Sequence, residues 1–129
     1  MINMVKKNKE LKKEGESDYD YLNDILFFKV KEREYSRSVE LENIVVDVDE
    51  EDFVVGAQIF EASKFLGITK DALKNVSNWQ FQAKVDQQKL ELRLIFQTIY
   101  RNKLIEPRPI IIEELKEPLP NSEVSINTA

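Results

Sequence analysis

Four carboxylates crowd one short stretch of the chain, Asp47, Asp49, Glu51 and Asp52, and closely spaced carboxylates are how proteins hold hard cations such as calcium or magnesium. The twelve-residue calcium loop needs a glycine at its sixth position and a bidentate glutamate at its twelfth. Counted from Asp47, those positions hold Asp52 and Gln58, so the spacing fails. Asp20 and Asp24 are the acidic pair that flanks a hydrophobic strand signal. Hydrolysis by two carboxylates would require them on opposite sides of a cleft with one in an apolar setting, and nothing in the sequence nominates a cleft. The chain has no His and no Cys, which removes imidazole acid–base chemistry, thiol nucleophiles, disulfides and the usual zinc sites. Its three glycines, Gly15, Gly56 and Gly67, are too far apart to cradle a phosphate. The expectation is a non-enzymatic protein without catalytic residues, metal or cofactor.

Charge layout points to association instead. From Glu14 to Asp52 there are fourteen acids against four bases, and from Glu40 to Asp52 seven acids and no base. Such a stretch suits docking against a basic partner protein, such as a ribonuclease-type toxin, with Asp47, Asp49, Glu51 and Asp52 as the expected contact residues. The bland reading is a solvated edge and turn whose charge discourages edge-to-edge pairing. A second reading takes Arg93, Arg101, Lys103 and Arg108, near Trp79, Phe81 and Tyr100, as a single-strand nucleic-acid surface. Periodicity disfavours it, because Trp79 shares its face with Phe81, Ala83 and Val85 and is expected in the core.

The elements that would position these residues read as α+β: antiparallel hairpins forming one or two sheets, with one or two short helices at about residues 62–76. Strands are expected at 22–31, 38–41, 44–49 and 53–60. In the third, Ile44, Val46 and Val48 take one face, and Val45, Asp47 and Asp49 take the other, towards water or a partner. Gly56 suggests a bulge or a close approach by another group. Ala62, Phe65 and Leu66 followed by Gly67 read as a short helix and its left-handed end, and Thr69 as the N-cap of a second over 71–76. Trp79 to Val85 and Leu90 to Phe96 alternate strictly and form a second hairpin. A helix over 87–101, which propensity alone would favour, is the competing reading there. Pro107 and Pro109 precede a short edge strand at 110–112. Residues 1–17, rich in Lys, read as a flexible basic leader, 18–116 as one domain and 117–129 as an extended tail.

The run Tyr19-Asp20, Asp24 before Leu26-Phe27-Phe28, Ser38-Val39-Glu40-Leu41, Ile44 to Asp49, and Val54-Val55-Gly56-Ala57-Gln58-Ile59 with Ala62-Ser63 resembles the YuzE-like small proteins, domain-of-unknown-function family 2283, over about residues 19–66. Within that likeness, residues 18–66 form a family-like part and 67–116 an extension carrying the second hairpin. Gln58 stands where the family often has an acid. The resemblance implies no established activity. Short members are similar to proteins encoded beside small toxin-like proteins, which implies an antitoxin-like or other protein-neutralising role.

At 129 residues, 42% hydrophobic and 33% charged, the chain is sized for one folded domain. No apolar run approaches the roughly 18 residues of a membrane span, so no membrane contact and a cytoplasmic location are expected. Two hydrophobic hairpins with so little helix to cover them point to a homodimer. The alternative is a monomer in which the Pro-bounded strand at 110–112 and the C-terminal tail cover the exposed edge.

Overall fold

A computed structural model describes residues 9–128. Strands dominate, at 56% of the described residues, beside two short helices. Nine strands form one sheet in the order β10-β7-β6-β11-β1-β2-β5-β4-β3. In chain order they are β1 (Lys9–Asp20), β2 (Ile25–Val30), β3 (Arg37–Glu40), β4 (Ile44–Val48) and β5 (Val54–Ile59), then β6 (Trp79–Asp86), β7 (Lys89–Phe96), β10 (Ile110–Glu114) and β11 (Ser122–Thr128). A separate hairpin joins β8 (Thr98–Tyr100) to β9 (Lys103–Ile105). All pairings are antiparallel except that of β1 with β11. The sheet is therefore two antiparallel halves, 9–59 and 79–128, joined by one parallel seam.

The halves curl towards each other. Phe28 of β2 stacks on Phe81 of β6 with ring centroids 4.6 Å apart, and meets Trp79 edge-on at 5.4 Å. Because β11 and β1 lie between those strands, a flat sheet would hold them roughly 14 Å apart. Burial follows the period of two: Leu26, Phe28 and Val30 from one half and Phe81, Ala83, Val85, Leu90, Leu92 and Leu94 from the other all lie in the core. Gly15 sits at the seam. A Cβ there would lie 1.9 Å from Ile126 Cγ2 and 2.8 Å from the Lys29 carbonyl oxygen, so the close approach of β11 and β2 requires glycine.

Several expectations hold. Both hairpins form, the alternation of Leu90 to Phe96 wins over helix propensity, and Trp79 is buried, 4% exposed. Helices α1 (Ala62–Leu66) and α2 (Lys70–Lys74) stand where expected, with Gly67 left-handed at φ 68° and the Thr69 hydroxyl accepting from Ala72 N–H. Gly56 satisfies both readings of it. The β4–β5 register slips beside it, and its missing side chain admits the Phe28 carbonyl and Asp47.

Other expectations are corrected. The hairpins do not stand as separate units: β1 and β11 join them into one large curled sheet of nine strands, beside the two-stranded β8–β9 sheet. Residues 1–8 of the expected leader lie outside the described residues, but 9–17 are strand, held by β2 on one side and β11 on the other. Most of the expected tail is β11, at the centre of the sheet between β1 and β6. Val124 and Ile126 are buried there, but Ser122 and Thr128 share their inward face and dilute its apolar pattern. Asp49 does not face outward. It is 5% exposed, because the chain turns at the end of β4 and aims it inside the turn.

Candidate functional site

Two carboxylates organise the first half of the sheet. Asp24, in the left-handed region at φ 55°, ends the turn between β1 and β2. Its carboxylate accepts from Tyr19 Oη at 2.6 Å, from Ser63 Oγ at 2.6 Å and from the Ser63 backbone N–H at 3.0 Å, while its carbonyl accepts from Ala62 N–H. It thereby caps α1, whose own N-cap Glu61 makes no side-chain bond. Burial alone would raise the Asp24 pKa, but the bonds from Ser63 and Tyr19 and the charge of Lys70 outweigh it and leave it below the ordinary value. Burial first, then the bond to Asp24, push the Tyr19 phenol up. The acid flanking the strand is thus fully engaged in structure, and its neighbour Asp20 is bound to the backbone and side chain of Asn23.

Asp49 does the same for the β4–β5 turn. It accepts from the backbone N–H groups of Glu51 and Phe53 and from Arg33 at 2.6 Å. Arg33 also reaches Glu51 at 3.7 Å, and Arg37 reaches Asp52 at 3.4 Å. Asp47 accepts from Ser38 Oγ at 2.7 Å. Of the four acids expected to dock a partner, three therefore carry arginine partners from β3 and the loop before it. The sequence does not reveal this, because Arg33 and Arg37 lie outside the base-free stretch. Among the described residues no group of three or more acids is arranged to hold a metal ion.

The outer face of this half carries a different feature. Strand register puts Asp18, Phe27, Gln58 and Val45 in one row across four strands, and Glu16, Lys29, Gly56, Asp47 and Ser38 in the next. At Gly56 the Phe28 carbonyl and the Asp47 side chain take the place of a side chain. Beside it lies a groove of about 310 Å³ with a mainly apolar lining that includes Phe27, Val55 and Tyr35, together with the acids Glu16, Asp18 and Asp47 and the bases Lys29 and Arg33. Only Asp47 of the expected contact residues lines it. Sequence reasoning finds Asp47 but neither Glu16, which falls in the expected leader, nor Asp18, which precedes the first expected strand.

The expected basic residues do not converge on one surface. Arg93 pairs with Glu91 on β7, Arg108 pairs with Glu106 before β10, and Arg101 and Lys103 sit on the β8–β9 hairpin, with Arg101 over the Tyr100 ring. That hairpin turns through Arg101 and Asn102, both at positive φ. It carries no glycine signal, and the sequence reading missed it. Trp79 and Phe81 are core residues and offer no stacking platform. No helix among the described residues is long and apolar enough to cross a membrane.

Residues 17–63 match the family described as protein of unknown function, DUF2283. The chain is 30% identical to an uncharacterised protein of Methanocaldococcus jannaschii over 73% of its own length and 82% of that protein. It is 29% identical to a Methanosarcina mazei protein provisionally named a hypoxanthine phosphoribosyltransferase, over 69% of its length and 72% of that protein. No solved structure matches it significantly. The matched span begins beside Tyr19 and ends at Ser63, the two residues that bond to the Asp24 carboxylate, and with the M. jannaschii relative it makes this chain a member of the DUF2283 family of proteins of unknown function.

Proposed function

We propose that the protein is a non-enzymatic, protein-binding regulatory module that receives a basic segment of its partner in the outer-face groove lined by Phe27, Glu16, Asp18 and Asp47. The observation that supports this reading is the juxtaposition of an apolar lining with three carboxylates, Glu16 and Asp47 in one cross-strand row and Asp18 in the next, which outnumber the bases Lys29 and Arg33 of the same groove. A lysine or arginine stem packs on Phe27 while its charged head reaches the acids. The docking surface thus moves from the β4–β5 turn, where arginines already engage the acids, to the sheet face beside it. An antitoxin-like role is one form such binding takes.

We read the protein as non-enzymatic although one relative carries an enzyme's provisional name; in support, Gly15, Gly56 and Gly67 are dispersed through the chain and form no glycine-rich loop.

The test is affinity capture from an extract of the native cells with the unaltered protein and with the Glu16→Gln, Asp18→Asn, Asp47→Asn triple variant. The expected result is a basic protein retained by the first, released by salt, and lost with the second at an unchanged melting temperature. Equal capture by both would sink the proposal, as would recovery of nucleic acid in place of protein.

A further inference from the structure

β10 ends the nine-strand order, and among the described residues no strand pairs with its outer side. Segment 115–121 does not cover it. That segment turns back across the β6–β7 end, where Leu115 N–H and the Leu119 backbone bond to Gln88, and leads into β11 at the centre of the sheet. The backbone phase of β10 is fixed by its bonds to β7. The carbonyls of Pro107 and Pro109 accept from Phe96 and Leu94 N–H, so odd-numbered residues turn their polar groups inward, and those of Arg108, Ile110, Ile112 and Glu114 point out. Both prolines fall on the inward phase. The outer edge keeps every donor, whereas proline in the other phase would have blunted it. On the outer face Ile110 and Ile112 are 53% and 62% exposed, while Ile111 between them is buried.

Charge selects what can pair there. If β10 meets a second β10 antiparallel about Ile111, Ile110 lies opposite Ile112 twice, and Arg108 lies opposite Glu114 at both ends. Centred on Ile112, Arg108 would instead face Lys116; centred on Ile110, Glu106 would face Glu114. Opposite charges across strands attract and like charges repel, so only the first register is favourable. In it the residues with outward backbone groups also oppose one another, as a hydrogen-bonded ladder needs. We infer that β10 pairs antiparallel with β10 of a second copy of this chain, centred on Ile111, giving a two-fold dimer with a continuous sheet and a four-isoleucine patch across its outer face. This inference is independent of the outer-face groove beside β1 and β2.

Light scattering coupled to size-exclusion chromatography tests it on the full chain. The expected mass is about 30 kDa, twice the 15.1 kDa of one chain. Arg108→Glu and Glu114→Arg, both at exposed positions, each place like charges across the seam and should weaken dimerisation at least tenfold. The double swap restores the pair and should restore the dimer. Ile112→Pro removes an outward donor without touching the bonds to β7, and should give a monomer with an unchanged far-ultraviolet spectrum. A mass near 15 kDa for the unaltered chain at all concentrations would overturn the inference. So would a mass that rises without a plateau, a dimer indifferent to the single swaps, or a folded double swap that stays monomeric.

Discussion

The carboxylate of Asp24 holds the hydroxyl of Ser63, 39 positions further along the chain, at 2.6 Å. Through that contact the turn between β1 and β2 supplies the N-terminal cap of α1. A capping side chain normally comes from the residue before the helix, where its oxygen takes a free backbone N–H of the first turn. Here the cap is supplied from a distance, so the start of the helix is tied to the sheet.

Removing this tie should be costly in proportion to the donors it leaves unpaired. Asp24→Ala strands the Tyr19 hydroxyl and the Ser63 backbone N–H in a part-buried site, and should destabilise the protein by about 3 kcal/mol. Tyr19→Phe and Ser63→Ala should each cost about 1 kcal/mol. Urea unfolding measures all three. An Asp24→Ala variant within about 0.5 kcal/mol of the parent, the range of ordinary surface substitutions, would show that the cap contributes nothing to stability.

The same cluster sets a pH signature. With the folded pKa of Asp24 lowered, its contribution is full above its ordinary value of about 3.9 and drains away as the pH falls through the lower folded value. With that of Tyr19 raised, its contribution is full below about 10 and is lost as the pH climbs through the higher folded value. The stability difference between the parent and Asp24→Asn should therefore be flat near neutrality and shrink below about pH 4, while that for Tyr19→Phe should shrink above about pH 10. Denaturant titrations across pH read both; a difference that grows in acid would contradict the direction assigned to Asp24.

The same substitution should weaken the protein at both Gly67 and Gly15, but to very different degrees. Gly67→Ala meets no atom within 4 Å and suffers only its positive φ, a cost of about 1 kcal/mol. Gly15→Ala drives a methyl into Ile126 and the Lys29 backbone and should prevent the seam from closing. Thermal melts should show a modest shift for the first and loss of the cooperative transition for the second.

Trp79 reports on the curl, since its ring lies 4.2 Å from that of Phe96 and touches Phe28 of the opposite half. Its fluorescence should be blue-shifted and resistant to acrylamide in the native state. Trp79→Ala should cost about 3–5 kcal/mol. Hydrated emission from the folded protein would mean that the two halves do not meet.

Local pattern made much of this legible. Ile44 to Val48 and Trp79 to Phe96 alternate so regularly that strand, face and partner follow from the side chains alone, and Thr69 and Gly67 mark their helix ends by type. What stayed hidden has a non-local cause. β1 exposes Lys12, Lys13, Glu14 and Glu16 and buries only Leu11 and Gly15 among its first eight residues, so nothing nearby says that it is a strand; β11 says so, from the far end of the domain. The acids at 47–52 look free because Arg33 and Arg37 reach them only after β3 folds back on β4. Asp24 was noticed as an acid beside a strand, but its purpose depends on Ser63, and no spacing rule links them.

The parallel seam also governs when the protein can finish folding. Lys9 pairs with Ser122, so β1 emerges from the ribosome roughly 5–20 seconds before its second neighbour exists, at about 5–20 residues synthesised per second. A contact so distant in sequence is slow to close and leaves an open strand edge in the meantime. The alternating lysines and glutamates of β1 then take on a meaning that the finished structure does not display. Charges of this kind blunt an unpaired strand edge, and until β11 exists the edge of β1 at Lys9 to Gly15 is such an edge.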